Sequence, residues 1–198
     1  MKVHYLKHHQ AYTNKLNDAL TELRQDPETK HFAKMGIDSL LQHLDEIPVK
    51  LRGAIRNNGG GYVNHDKFWA IMNPDGGQSP VDGSAIASDI QKHFGSFDVW
   101  KQAFIDASLK VFGSGWSWLV YNRNDGKLSI QTTLNQDTPA SQPGNDIIMG
   151  LDLWEHAYYL KYQNKRNEYI ENWFNLINWP EADRRLLVAK GVSLKEEL

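Results

Sequence analysis

The side chains in this sequence best suited to chemistry are histidines, carboxylates and the aromatics around them. The chain holds eight His and 22 aromatic residues and no Cys. The lack of thiols excludes disulfide scaffolds, zinc ribbons, iron–sulfur sites and thiol catalysis. Three groups stand out. His4, His8 and Tyr12 are spaced i, i+4 and i+8, so one helix face presents all three. The plain alternative is a solvated polar face. His9 falls off that face and reads as a surface residue. A zincin motif would need Glu directly after the first His, and Tyr5 stands there. His65 shares a face with Phe68 and Trp69, where a hydrogen-bonded core histidine is the ordinary reading. Gly61, four residues earlier, leaves that face empty. Glycine inside a helix costs about 1 kcal/mol relative to alanine, so the gap asks for a packing or functional reason. Asp152 and His156 are four apart and can converge on one ion. The apolar run Ile147–Leu151 places Asp152 near the interior, where a carboxylate must be paired, hydrogen-bonded or metal-bound. An N-capping Asp is the alternative.

Each group alone is weak, but together they are three imidazoles and one carboxylate. That is a four-ligand set of N and O donors, with solvent to complete a fifth position. It contains no soft sulfur, which disfavours Cu(I) and leaves Mn, Fe, Co or Zn.

The elements that must position these groups follow from periodicity. The chain of 198 residues is long enough for one or two compact domains, and its 40% apolar and 23% charged residues fit a globular protein. Its net charge of −2 argues against bulk electrostatic binding to nucleic acid. No apolar run approaches the ~18 residues of a membrane span. Val3, Leu6, Leu16, Ala19, Leu20 and Leu23 keep a helical period that Gln25-Asp26-Pro27 ends. A second helical region breaks at Pro48 and resumes through Leu51, Ala54 and Ile55. Gly59-Gly60-Gly61 is expected to interrupt it before Tyr62–Met72. The turn formers of Asn73–Pro80 mark a linker. Helices are expected near Ala85–Phe94 and Phe97–Phe112. Trp116–Asn122 and Leu128–Leu134 are β-rich and flank the hairpin signal Asn124-Asp125-Gly126. Ile147–Met149 is a third short strand, and helix returns from His156. The expected fold is α+β: an N-terminal all-α helical hairpin domain over 1–75, then a C-terminal α/β domain over 76–198 with a small three-stranded antiparallel sheet. Asp26–Ile37 and the tail from Val188 carry no functional reading.

Five stretches together resemble the iron/manganese superoxide dismutases: HYLKHHQAY (4–12), RNNGGGYVNHDKFW (56–69), FGSGWSWLV (112–120), NQDTP (135–139) and GLDLWEHAYYLKYQNKR (150–166). They span nearly the whole chain in the family's order. The resemblance implies an oxidoreductase that disproportionates superoxide to O2 and H2O2 by redox cycling of one metal with coupled proton uptake. It implies metal ligands His4, His65, Asp152 and His156. Tyr12 would be the gateway between solvent and metal, and Gln136 would hydrogen-bond the metal-bound solvent. His8 would lie at the entrance against Tyr159 of a partner subunit, and Glu155 would reach the partner's His156. Trp69, Trp116, Trp118 and Trp154 would wall the metal.

The resemblance also implies a metal. In manganese-type members the outer Gln comes from the NQD segment and faces a Gly on the second ligand helix, here Gln136 and Gly61. Iron-type members place the Gln at the glycine position. One Mn per chain is therefore expected, with Fe as the alternative. The implied assembly is a homodimer, or a tetramer built from it. Lys7, Lys165 and Arg166 could draw the anion inward, or be ordinary surface charges. The family has an extended segment before the first ligand helix, whereas His4 is the fourth residue here, so a less anchored first turn is expected. Tyr5 and Tyr62 stand where many members have His. No leader shows ahead of His4, and a cytoplasmic setting is expected. Two other readings remain open on the residues alone: a different mononuclear metal enzyme, and an inactive relative that keeps the fold.

Overall fold

Pro27 and Pro48 punctuate the N-terminal half. In the computed structural model, which describes residues 1–77 and 79–193, helix begins at Lys2 and passes through a π-helical turn over His4–His9. It continues as α1 (Gln10–Gln25), and Asp26 leaves it with extended backbone. A connection containing the short helix α2 (Ile37–Gln42) leads to α3 (Val49–Ala70), which starts directly after Pro48. Leu16, Ala19 and Leu23 of α1 and Leu51 and Ile55 of α3 are buried as the two helices pack into a hairpin.

Val3 and Leu6, members of the apolar helical period, are 52% and 50% exposed. The π turn is the reason: its i→i+5 ladder widens one turn and shifts every residue before it relative to a 3.6-residue wheel. The glycine run does not interrupt α3, which passes through it unbroken with all three glycines buried. The run is there for close approach. A Cβ on Gly60 would collide with the backbone carbonyl of Gln136, and one on Gly61 would lie 2.5–3.0 Å from the Tyr12 ring. The gap at Gly61 is thus filled by Tyr12, while Gln136 approaches at Gly60.

The C-terminal half opens with α4 (Ala85–Phe94) and α5 (Phe97–Lys110), capped by the hydroxyls of Ser84 and Ser96. Serine at this position satisfies an otherwise orphaned helix N–H. β1 (Gly115–Asn122), β2 (Lys127–Leu134) and β3 (Asn145–Asp152) form the expected three-stranded antiparallel sheet in the order β2-β1-β3. Gly126, at φ +67°, sits in the β1–β2 turn, a conformation that suits glycine. The central strand β1 is buried on both faces, which is why its sequence is apolar throughout rather than alternating. Its register sets Trp116 opposite Thr133 of β2 and Asp152 of β3. Helices α6 (Glu155–Tyr162), α7 (Arg166–Trp173) and α8 (Trp179–Ala189) complete the fold.

The halves are stitched together. Asn73 N–H donates to the Leu176 carbonyl and Asn178 N–H to that of Ile71, both at 2.8 Å. Arg185 of α8 donates to Glu181, to the Ile148 carbonyl of β3 and to the Lys67 carbonyl of α3. Gln78 of the expected linker and residues 194–198 of the expected second domain lie outside the described residues. Among the described residues, no helix is long and apolar enough to cross a membrane.

The glycines of α3 make a direct test. Gly60→Ala should destabilise the protein by about 1–3 kcal/mol through overpacking against backbone that cannot yield. Gly53→Ala, at an exposed helical position where a Cβ meets nothing within 4 Å, should stabilise it by about 0.5–1 kcal/mol. Urea denaturation of both variants beside the parent checks the signs.

Candidate metal centre

His4 comes from the π turn, His65 from α3, Asp152 from the end of β3 and His156 from the first turn of α6. Their four ligand atoms lie within 4.8 Å of one another. Three imidazole nitrogens converge on one oxygen: Asp152 Oδ2 lies 3.1 Å from His4 Nε2, 3.1 Å from His156 Nε2 and 3.6 Å from His65 Nε2. Metal–ligand bonds of about 2.0–2.2 Å at angles of 90–120° put neighbouring donors about 2.8–3.8 Å apart. The three nitrogen–oxygen edges fall in that range. His4 Nε2 and His65 Nε2 are buried without a hydrogen-bond partner. Such orphaned acceptors are costly unless something binds them. The donor set therefore fits a metal ion.

The surroundings prepare these groups. His65 Nδ1 lies 2.6 Å from the Gly61 carbonyl. A carbonyl only accepts, so Nδ1 carries the hydrogen and the neutral ring turns a bare Nε2 to the centre. Burial pushes His65 down to about 3 and lowers His4 as well, so both favour the neutral form that ligates. Burial alone would raise Asp152. The nearby imidazoles of His156 and His4 outweigh it and hold the carboxyl well below its usual range. Asp152 Oδ1 accepts from Trp154 N–H at 2.9 Å. The N-capping alternative fails: Trp154 holds the cap position of α6 without a side-chain cap, and the Asp152 Oδ1 bond closes a local turn just before the helix.

Gln136 is buried and held in one orientation. Trp116 Nε1 donates to its Oε1 at 3.1 Å, and Asn64 Nδ2 does so at 3.2 Å. An indole N–H can only donate, so the amide oxygen must face Trp116. The Gln136 amide then donates to Tyr12 Oη at 3.0 Å. With its oxygen accepting, Tyr12 keeps its own hydrogen free. Burial raises the Tyr12 phenol, which keeps it protonated. Asn135, at φ +52°, turns the chain sharply after β2, a conformation asparagine tolerates. Trp154 Nε1 donates to its carbonyl.

The rings close around this centre. Trp69 lies 4.8 Å from His4, Trp116 5.2 Å from His65, and Trp154 5.5 Å from His156. Trp118 is one layer further out, stacked on Trp116 at 5.1 Å. His8 stacks on His156 at 4.3 Å. Glu155 and Tyr159 are exposed on α6. Lys7 is exposed, Lys165 pairs with Glu168, and Arg166 donates to the Leu109, Val111 and Gly113 carbonyls at the end of α5.

Sequence reasoning misplaced or missed three residues. His9 is not a surface residue. It accepts from Trp69 Nε1 at 3.1 Å and stacks on His65 at 5.4 Å. In a π turn residues five apart align, so His9 follows His4 inward. The doubled His8-His9 was the available signal. Asn64 is fully buried and holds Gln136, and its signal was a polar residue adjoining His65 in a helix that otherwise packs inward. Phe68 packs on His4 at 5.6 Å as a further ring of the wall.

Comparison with known proteins agrees with this geometry. The family model described as the alpha-hairpin domain of iron/manganese superoxide dismutases matches residues 1–73, and the one for their C-terminal domain matches residues 82–185. The chain is 48% identical to a protein named superoxide dismutase [Mn] from Listeria monocytogenes, over 96% of this chain and 89% of that one. It is 48% identical to superoxide dismutase [Mn] 1 of Leptolyngbya boryana, over 96% of this chain and 73% of that one. It is 49% identical to a superoxide dismutase [Mn/Fe] of Methylomonas sp. (strain J), over 93% and 86% of the two. The chain belongs to the iron/manganese superoxide dismutase family.

Proposed function

We infer that this chain is a superoxide dismutase, converting superoxide to O2 and H2O2 at one metal held by His4, His65, Asp152 and His156. The convergence of three imidazole nitrogens on a single buried carboxylate oxygen carries this reading. Manganese is the proposed metal, with iron as the alternative, in line with relatives named for Mn and for Mn/Fe. When bound, the metal supplies a one-electron couple that alternately takes an electron from one superoxide and gives it to another.

The chain's own residues do the rest. Asp152 contributes one negative charge to a cationic site, and the neutral imidazoles add none. The aromatic wall excludes bulk water, which strengthens electrostatic effects at the centre. Gln136, locked by Trp116 and Asn64, is placed to hydrogen-bond solvent in the site and tune the couple. Tyr12 keeps a free hydrogen beside Gln136 and is the proposed gateway for a proton to the departing peroxide. His8, half-buried against His156, is the proposed next member of that path. Of the three proposed steering cations, Lys165 is engaged by Glu168 and Arg166 by carbonyls at the end of α5, while Lys7 is exposed near the site.

We also propose that the chain divides near residue 75 and works as a symmetric homodimer. Phe112, Tyr159 and Leu160 are 95%, 50% and 85% exposed, beside the exposed Glu155. This apolar and acidic set on and near α6 suits a self-complementary patch.

Three outcomes test these assignments. Elemental analysis of reconstituted protein should find close to one Mn per chain, and His65→Gln should lower Mn affinity by orders of magnitude; unchanged affinity would remove His65 from the ligand set. Tyr12→Phe should slow the proton-limited rate roughly tenfold, less than loss of a sole general acid because solvent can substitute. Stopped-flow decay of superoxide across pH reads this. In metal-free protein, His65 stays neutral down to about pH 3, whereas in the unfolded chain it titrates at its ordinary 6.5. The unfolded state therefore holds the extra proton between these values. Stability should fall as pH drops from about 6.5 towards 3 and be level with respect to this group above it. His65→Gln should show a shallower slope in urea midpoints against pH.

A further inference from the structure

Arg56, Gly60 and Asn64 occupy positions i, i+4 and i+8 of α3 and so form one stripe along the helix. All three engage the same two residues of the segment after β2. Arg56 makes two parallel bonds to the Asp137 carboxylate, Nε to Oδ1 at 2.7 Å and Nη2 to Oδ2 at 2.6 Å. At Gly60 the absent side chain admits the Gln136 carbonyl. Asn64 Nδ2 lies 3.2 Å from both the Gln136 carbonyl and its Oε1, and 3.3 Å from the Asp137 carbonyl. The next residue, His65, belongs to the metal centre. One helix thus carries a candidate ligand on one face and a seat for Gln136 on the neighbouring face.

The Arg56–Asp137 pair is poorly placed to contribute much stability. Its side chains are 57% and 37% exposed, and exposed pairs are worth about 0–1 kcal/mol. Its bidentate form nevertheless fixes both distance and angle. Gln136 must meet Tyr12, Trp116 and Asn64 at once, and a small rotation of its backbone would break that set. The ion pair holds the residue directly after it.

We propose that Arg56, acting through Asp137, is a positioning residue for Gln136. It fixes the amide against α3 and thereby the potential of the metal couple. This rests on the reading of Gln136 as the group that hydrogen-bonds solvent in the site.

The test uses the full chain as Arg56→Gln, Asp137→Asn, the double variant, and Gln136→Asn. Arg184→Gln is the control, because Arg184 makes a similar bidentate pair with Glu181 within α8. Asp137→Asn keeps the side chain's shape and guards against a folding defect in Arg56→Gln. In metal-free protein, the Gln136 side-chain amide signals in 1H–15N spectra should move in both single variants and stay put in the control. In Mn-loaded protein, the midpoint potential should move in the same sense in both singles. The double variant should match a single one, because both singles remove one interaction. Arg56→Lys should fall between, since an ammonium makes only a point contact. If Gln136→Asn shifts the potential and the pair variants do not, or if their effects add, the positioning role is overturned while the reading of Gln136 stands. If Gln136→Asn leaves the potential unmoved, the reading of Gln136 falls and takes the positioning role with it, even where the amide signals move.

Discussion

One carboxylate oxygen, Asp152 Oδ2, is the point on which the molecule is organised. A carboxylate removed from water is tolerated only when charges and hydrogen bonds compensate it. Here the compensation comes from the Trp154 N–H and the His156 ring, and a cation shared with His4 and His65 of the N-terminal helices would complete it. Several features that look independent serve this point. The antiparallel register sets Trp116 beside Asp152. The π turn aims His4 inward, and the glycines of α3 let Tyr12 and Gln136 approach.

Around that point, orientation is enforced by groups with only one hydrogen-bonding role. Trp116 can only donate, so Gln136 must offer its oxygen there and its N–H elsewhere. The Gly61 carbonyl can only accept, so His65 must present its other nitrogen to the centre. Neither choice depends on the metal being present. The site is preorganised by partners that cannot reverse their roles.

Much of this was legible in the sequence, and the part that was not has a common cause. Asp152 and His156 could be paired from spacing alone, and the β1–β2 hairpin from Asn124-Asp125-Gly126. The three strands and the α4 boundaries follow from period, whereas α5 stops at Lys110 rather than Phe112 and β3 runs beyond the expected Ile147–Met149 to Asn145–Asp152. The misreading of His9 comes from assuming 3.6 residues per turn where the helix is π. The misreading of Gly59-Gly60-Gly61 came from treating propensity as decisive, when tertiary contact overrides it. Arg56 and Asp137 leave no local signal at all. Their pairing exists only after α3 and the segment following β2 have met. The resemblance to a family supplied the role of Gln136, which no periodicity could have provided.

The four converging groups are drawn from almost the whole length of the polypeptide, with His4 near its beginning and His156 on one of its last helices. An ion bound there would act as a clasp between distant parts of the chain. Closing so long a loop carries an entropic cost that grows only slowly with length, and a bond that holds the ends together restricts the unfolded chain most when the loop is long. Release of the ion should therefore loosen the seam between the helical hairpin and the sheet before either half loses its own packing. The metal would then serve as a late checkpoint in assembly, captured only by a chain whose first and last elements have already docked.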